Sequence, residues 1–273
     1  MAWRAPAHPS RRGAGALRRR LGHDHGQLLK ARHTRTYAAG MTTTLGLSAD
    51  EMLLTTRAVR RRLDFDRPVP ESLLRECARF AVQAPTSSNG QGWHFVFVTE
   101  RSKIEALAAI YRRGSDLNRA RFIENSKARA ATDAVWGGQL ARMIEAGVHL
   151  VENLHRIPAM LIPCAAGRSE DPRHVVEGAG SVIQGAWSFM LAARARGLGT
   201  CWTTIHLMWE EEVAEILGIP YAEVRQYALI PVAYTLGTDF KPATRDLDGV
   251  LSFNGWSRSA PLVPTLGGLY EPS

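Results

Sequence analysis

The sequence has little cysteine and no long apolar run. Its three cysteines, Cys77, Cys164 and Cys201, are widely separated, and none forms a C-x-x-C pair. This pattern argues against a disulfide framework, fits a reducing, cytoplasmic compartment and predicts buried structural thiols. No segment approaches 18 uninterrupted apolar residues, so we expect no membrane-spanning helix. Histidine, cysteine and carboxylate residues lack the spacing of a zinc site, and no metal centre is expected.

Acidic residues are nearly absent from residues 1–40. This segment holds nine of the 34 lysines and arginines but one of the 26 acids, which leaves 25 of each sign in the rest of the chain. The balanced remainder offers no basic surface for nucleic acid. With few large aliphatic residues, the head cannot bury enough surface to fold, and we expect it to be disordered. It partly resembles an organellar transit peptide. A simpler alternative is that translation starts at Met41.

Residues 41–273 read as one domain in which helices alternate with a few separated strands. Apolar periodicity and capping signals predict helices at Ser48–Thr56, Pro70–Ala84, Arg101–Tyr111, Ala134–Asn153, Ser181–Gly197 and Glu210–Leu217. Apolar and β-branched runs predict strands at Trp93–Thr99, Ala159–Ala165, Thr200–Ile205 and Tyr227–Tyr234. Residues 112–133 show no clear pattern, and Gly249–Ser273 is an extended tail. We therefore expect an α+β fold, a three-layer α-β-α sandwich.

Three arginines follow the first predicted helix in the stretch TTRAVRRRLD. Arg57, Arg60 and Arg61 have the i, i+3, i+4 spacing that places side chains on one side of a helical turn. Guanidinium groups so arranged could converge on a phosphate through charge-assisted, forked hydrogen bonds. The alternative is a solvated run of surface charge.

A polar stretch, PTSSNGQG at residues 85–92, separates the helix ending near Ala84 from the strand at Trp93. Residues 86–89 supply hydroxyl and amide groups, and Gly90 and Gly92 could let backbone amides approach a ligand. A flat, polar heteroaromatic group would suit Gln91 in front of an apolar strand. The alternative is a simple connection, because Ser, Asn and Gly also favour turns.

Four segments in this order and spacing resemble the FMN-dependent nitroreductase family. They are TRAVRR at 56–61, APTSSNGQGWHF at 84–95, GLGTCW at 197–202 and TRDLDGVLSFNGW at 244–256. The second segment is the most specific, being close to the family pattern A-P-S-S-x-N-x-Q-P-W-x-F. Ala58 stands where the family usually has serine, and Gly92 replaces the usual proline.

The resemblance implies a domain-exchanged homodimer with two FMN sites, each built from both chains. The first segment would bring Arg57, Ala58, Arg60 and Arg61 to the phosphate and ring edge. The partner's loop would line the ring and ribityl chain with Pro85, Thr86, Ser87, Asn89 and Gln91. Trp202, Thr203 and Thr204 would run along the flavin. Arg245 would return to the phosphate, with Lys241 as its substitute.

The same resemblance implies ping-pong passage of hydride from NADH or NADPH, through FMN, to a nitroaromatic, quinone or similar acceptor. No side chain is then needed as acid or base, and the sequence has no nucleophile elbow or P-loop. Residues 112–134 would form the substrate side, and His206 would either meet substrate or be structural. Two alternatives stay open: a specialised flavoprotein that cleaves flavin or dehalogenates, and a protein that sequesters flavin without turnover.

Overall fold

A computed structural model describes residues 41–132, 134–244 and 247–257. The basic head, Arg245 and residues 258–273, on which some of the predictions fall, lie outside this part of the chain. The helices are α1 (Ala49–Thr55), α2 (Glu71–Ala81), α3 (Arg101–Thr132), α4 (Ala134–Asn153), α5 (Pro172–Ala195) and α6 (Glu210–Leu217). The strands are β1 (Leu63–Asp64), β2 (Trp93–Val98), β3 (Ala159–Ala166), β4 (Leu198–Thr200), β5 (Val224–Gln226) and β6 (Ile230–Thr235).

Local signals fix the ends of several helices. Before α1, the Ser48 hydroxyl accepts a hydrogen bond from the Glu51 amide, and the Glu51 carboxylate accepts one from the Ser48 amide, which completes the predicted capping box. The Asp171 carboxylate caps α5 by accepting from the Arg173 amide at 2.9 Å, and Pro172 follows at the first turn. These short-range bonds satisfy amides that a helix start leaves unpaired.

The six strands form one sheet whose described pairs are all antiparallel. Four strands follow one another in the order β1-β6-β3-β2, while β4 also pairs with β6 and β5 with β3. β3 is central and buried over seven of its eight residues. Because both faces of this strand are covered, its apolar sequence needs no polar alternation.

Helices cover both faces of the sheet, as the three-layer prediction requires. Met160, Ile162 and Cys164 of β3 pack into one core with α3, α4 and α6, whereas Ala159 and Leu161 pack into a second core with α2 and α5. Alternate residues of a strand point to opposite faces, so one strand serves both cores. The predicted α+β sandwich is therefore confirmed.

The structure completes one helix that the sequence left open and corrects the place of one strand. Residues 112–132, which showed no clear pattern, continue α3 as a helix, and α3 packs against α4. Tertiary contact with α4 supports this half of the helix. Its apolar residues are too few to give the periodicity from which a helix is predicted. The strand predicted at Thr200–Ile205 instead occupies Leu198–Thr200 and is followed by a 3₁₀ turn at Ile205–Trp209.

Gly199 lies in β4, within the segment GLGTCW at residues 197–202, where a larger residue would not fit. A Cβ at this buried position would lie 2.7 Å from a Thr235 methyl and 3.0 Å from both Leu63 and Val59. These neighbours belong to β6, β1 and the segment that precedes β1. Glycine thus lets three pieces of chain meet around β4.

The three cysteines are buried and free, as predicted. Burial raises the pKa of Cys77 and of Cys164 to about 12, so both thiols stay protonated and unreactive at neutral pH. Of the helices in the described ranges, none combines the length and the apolar character needed to span a membrane.

Candidate functional site

The segment TRAVRR at residues 56–61 lies against the segment GLGTCW at residues 197–202. Ala58 forms an isolated parallel bridge with Thr200, and the Val59 amide donates to the Thr200 carbonyl at 2.9 Å. Residues 57–62 are extended and turned rather than helical, so the helical spacing that suggested convergence of the three arginines is wrong. What brings this segment to the site is its pairing with the end of β4.

The arginines of this segment divide into two kinds. Arg61 is exposed and pairs with Glu145 of α4 at 3.0 Å. Arg57 and Arg60 are half-buried and have no acidic partner within the described residues. The charge of Arg60 reaches Cys201, where it partly offsets the rise in thiol pKa that burial causes. Two guanidinium groups beside β4 are therefore left to meet an anion.

The polar loop at residues 85–92 is held in an unusual backbone conformation. Ser88, Asn89 and Gln91 have φ values of 50°, 53° and 48°, in the left-handed region that residues other than glycine seldom adopt. Gly90, by contrast, has a φ of −70°, which residues other than glycine also adopt. Strain of this kind persists where surrounding contacts enforce it, often at ligand sites.

Hydrogen bonds within the loop supply that enforcement. The Thr86 hydroxyl accepts from the Gln91 amide at 3.1 Å, and the Gln91 side-chain amide donates to the Asn89 side chain at 2.9 Å. The Ser87 amide donates to the Ser181 hydroxyl of α5 at 3.1 Å, which ties the loop to that helix. Pro85, Ser87 and Asn89 are exposed. The loop thus presents polar groups on a rigid support.

The segment after β4 is fixed to the sheet. Thr203 is buried, and its amide and its hydroxyl donate to the Leu229 carbonyl at 3.1 and 2.6 Å. Both polar groups of Thr203 are thus used within the chain, and its role is to hold its neighbours in place. Trp202 and Thr204 on either side are half-buried.

Two cavities adjoin these segments. The larger, about 670 Å³, has walls from α3 and α4 and is also lined by Arg60 and Ile205. The smaller, about 250 Å³, lies between the polar loop and α5 and is lined by Thr86, Ser87, Gln91, Glu177, Ser181 and Tyr227. Arg60 and the polar loop therefore line different cavities within one chain.

One wall of the larger cavity comes from a region expected on the substrate side, and the other does not. The wall from α3 runs from Tyr111 to Ile123 and overlaps the expected residues 112–134. The wall from α4, between Met143 and Glu152, was not foreseen. A helix of that length needs two apolar stripes to face both a core and a cavity, and the spread of apolar residues along Ala134–Asn153 was the available signal.

His206 is fully buried, and within the described residues neither ring nitrogen has a hydrogen-bond partner. Burial lowers the pKa of its imidazole to about 3. Since the folded pKa lies below the ordinary 6.5, stability is retained above pH 6.5 and falls as the pH drops toward 3. We expect a loss of about 2 kcal/mol between pH 6.5 and pH 5 from this residue.

Urea unfolding at pH 7 and pH 5 measures this effect. His206→Leu should reduce the acid-induced loss of unfolding free energy, because a leucine cannot take up a proton. His155→Gln, at an exposed histidine, is the matched control and should retain the full loss. An identical pH dependence in wild type and His206→Leu would show that His206 does not cause it.

Comparisons with known proteins bear on the family of the chain. A sequence model described as the Nitroreductase family matches residues 53–234. A protein of Methanothermobacter thermautotrophicus with the provisional name NADH dehydrogenase/NAD(P)H nitroreductase is 24% identical over 199 residues, covering 72% of this chain and 81% of its own.

Solved structures share the fold at low identity. NfrA2 of B. megaterium has a TM-score of 0.55 and 18% identity, covering 77% of this chain and 76% of its own. A point variant of the FMN- and NADPH-dependent nitroreductase NfnB, from Sphingopyxis sp. strain HMH, has a TM-score of 0.53 and 18% identity, covering 77% of this chain and 100% of its own. A BluB-like flavoprotein of Clostridium difficile 630 has a TM-score of 0.54 and 16% identity, covering 76% of this chain and 99% of its own. Because the family match spans more than half of the chain, this protein belongs to the nitroreductase family.

Proposed function

We propose that the protein is an FMN-dependent oxidoreductase that passes hydride from NADH or NADPH to nitroaromatic, quinone or similar acceptors. We propose further that it works as a homodimer in the cytoplasm, with two flavin sites that each draw on both chains. The observation that carries this proposal is the division of the site: Arg60 lines the larger cavity of one chain, whereas the strained polar loop lines the smaller one.

The arginine half suits the flavin phosphate. Arg57 and Arg60 are the positively charged groups beside β4 that have no acidic partner among the described residues. Guanidinium groups bind phosphate by forked, charge-assisted hydrogen bonds. A third cation for the phosphate could be Lys241, which follows β6 and lies among the described residues. The sequence also offers Arg245, which lies outside them. Arg61, paired with Glu145, contributes at most a distant charge.

The loop half suits the flavin ring and ribityl chain. Hydroxyl and amide groups on Thr86, Ser87 and Asn89 can bond to uncharged polar edges without a further cation. The Ser87 amide is bonded to Ser181, and the Thr86 and Asn89 side chains accept hydrogen bonds from Gln91, so little ordering is needed when a ligand arrives. The donors present therefore fit FMN, with cations for one end and neutral polar groups for the other.

The helix α5 offers a surface for the second copy. Val176, Ile183 and Trp187 are exposed at 69%, 47% and 41%, and their spacing of seven and four residues places them on one stripe. Exposed apolar stripes of this kind favour protein association. Because Ser181 of the same helix holds the polar loop, a partner seated on this stripe would stand beside that loop.

FMN, when bound, supplies the two-electron chemistry between nicotinamide and acceptor. The chain's own part is to hold the phosphate through Arg57 and Arg60, to orient the ring with the loop, and to keep water out with apolar walls. No described side chain is required to carry a proton.

The visible absorption spectrum of the purified protein tests the proposal. A bound flavin should give a yellow protein that bleaches with anaerobic NADH or NADPH and regains its colour with a quinone. Flavin binding without steady NAD(P)H oxidation with any quinone would favour sequestration. Consumption of FMN itself in air would favour a flavin-cleaving enzyme, and turnover that requires a haloaromatic would favour a dehalogenase.

Asn89→Gly separates a ligand contact from a turn residue. The change removes the side-chain bond to Gln91, but glycine adopts the φ of 53° at this position without strain, so the loop backbone should be kept while the side-chain amide is lost. We expect about fivefold weaker FMN binding, in line with one neutral hydrogen bond of about 1 kcal/mol. The free energy of unfolding should change by only a few tenths of a kcal/mol.

Fluorescence titration of the apoprotein with FMN, with urea unfolding of the same samples, measures both quantities. Ser88→Gly is the matched control, since it makes the same backbone change at a neighbouring left-handed residue outside the proposed contacts. Wild-type FMN affinity in Asn89→Gly would assign Asn89 to the turn alone.

A further inference from the structure

The larger cavity has unpaired positive charge on one wall. Arg112 and Arg119 lie seven residues apart on α3, line the cavity and have no carboxylate within 4 Å among the described residues. Other arginines nearby are engaged: Arg113 pairs with Glu212 and stacks over Trp209, and Arg61 pairs with Glu145. The two cavity arginines are therefore available to a ligand.

The remaining lining is largely apolar. Phe122 and Ile123 of α3 face Ile144, Val148 and Val151 of α4. Such walls favour a flat hydrocarbon or aromatic body, whose transfer from water is favourable in proportion to the apolar surface covered. The volume of about 670 Å³ is sufficient for a ring system with substituents.

Two carboxylates moderate the charge. Asp116 lies on α3 between the two arginines, and Glu152 lies on α4. Apart from Arg60, which we assign to the flavin phosphate, the lining carries two positive and two negative groups. A single anionic substituent can meet the two arginines, whereas a dinucleotide with several phosphate charges would also meet both carboxylates.

We infer that this cavity is the acceptor site and that it selects planar aromatic molecules bearing one anionic substituent, such as a carboxylate. Arg112 and Arg119 bind the anion, and the apolar residues of α3 and α4 cover the ring. Arg60, which we assign to the flavin phosphate, also lines this cavity, so the bound ring would lie next to the flavin site. This inference rests on the proposed function, because it identifies the substrate class of the same site.

A matched pair of acceptors tests the inference. The ratio of kcat/KM for 4-nitrobenzoate to that for 4-nitrobenzamide, which has the same shape without the charge, is measured with NADH in wild type, Arg112→Gln, Arg119→Gln and the double variant. We expect the ratio to fall about tenfold in each single variant and further in the double, as loss of a charge-assisted bond implies. Arg142→Gln, on α4 outside the cavity, should keep the wild-type ratio.

Asp116→Asn is expected to change the ratio in the opposite direction. Removing this carboxylate leaves the arginines less compensated, so discrimination in favour of 4-nitrobenzoate should increase. A general disturbance of α3 would lower the ratio in all variants alike and would contradict the inference. An unchanged ratio in the double arginine variant would also overturn it, as would an effect confined to the KM of NADPH relative to NADH, which would assign the arginines to the dinucleotide.

Binding without turnover separates this inference from the proposed function. Equilibrium dialysis of 4-nitrobenzoate and 4-nitrobenzamide against each protein needs neither flavin reduction nor NAD(P)H. If the protein proves inactive, the function fails, yet arginine-dependent preference for the anion would still support the cavity assignment. If activity is present but dialysis reveals no preference, the function stands and the inference is wrong.

Discussion

Replacing Glu76 with alanine is expected to lower the free energy of unfolding by about 3–5 kcal/mol. Glu76 lies on α2, 8% exposed, and its carboxylate accepts from the Arg196 guanidinium at 2.7 Å. Arg196 is 7% exposed, donates also to the Ala192 carbonyl and stacks over Phe80. Without Glu76, a buried positive charge would lose its counter-ion at the junction of α2 and the end of α5.

A second ion pair on the same helix supplies the control. Glu71 and Arg75 form an i, i+4 pair whose side chains are both mostly exposed. Glu71→Ala should therefore change stability by no more than about 0.5 kcal/mol. Urea unfolding of both variants makes the comparison. Equal costs would show that burial of the Glu76–Arg196 pair has no energetic consequence, and recovery in Glu76→Leu/Arg196→Met would confirm that the unpaired charge is the cause.

Arg57→Ala is expected to weaken FMN binding by about tenfold to a hundredfold. The arginine is half-buried beside β4 and has no acidic partner in the described chain, so its charge is available to the flavin phosphate. Riboflavin lacks that phosphate, and its affinity should change little. Fluorescence titration with both flavins therefore reports the contact with the phosphate separately from contacts with the ring.

Arg75→Ala, which removes an exposed arginine of α2 paired with Glu71, controls for the change in net charge. It should leave the FMN-to-riboflavin affinity ratio at the wild-type value. Arg57→Lys keeps the charge but loses the forked geometry, so its ratio should be intermediate. An Arg57→Ala protein that loses FMN and riboflavin affinity equally would remove Arg57 from the phosphate.

Much of the fold follows from local signals. The bounds of α4 and α6 match their predicted ranges, and the capping box at Ser48 fixes the start of α1. In each case the information lies within the element as periodicity or a cap. The second half of α3 depends on a neighbour outside it, and its sequence alone did not reveal the helix.

The site depends more heavily on contacts between distant residues. Arg61 has an acidic partner 84 residues away, and Ala58 is positioned by Thr200. Sequence spacing cannot show either relation, which is why the supposed helical convergence of three arginines failed. In the polar loop, the left-handed residues are Ser88, Asn89 and Gln91 because a hydrogen-bond network holds them. The sequence alone does not show which residues of this loop are left-handed.

A mixed dimer tests most directly whether each flavin site draws on two chains. One chain carries Arg57→Ala/Arg60→Ala, the other carries Thr86→Val/Asn89→Gly, and different affinity tags isolate the heterodimer for titration with FMN. A shared site predicts one site of wild-type affinity in each heterodimer, since one arginine half and one loop half remain intact together. Two weakened sites and none of wild-type affinity would show that each chain binds flavin by itself, contrary to the proposed architecture.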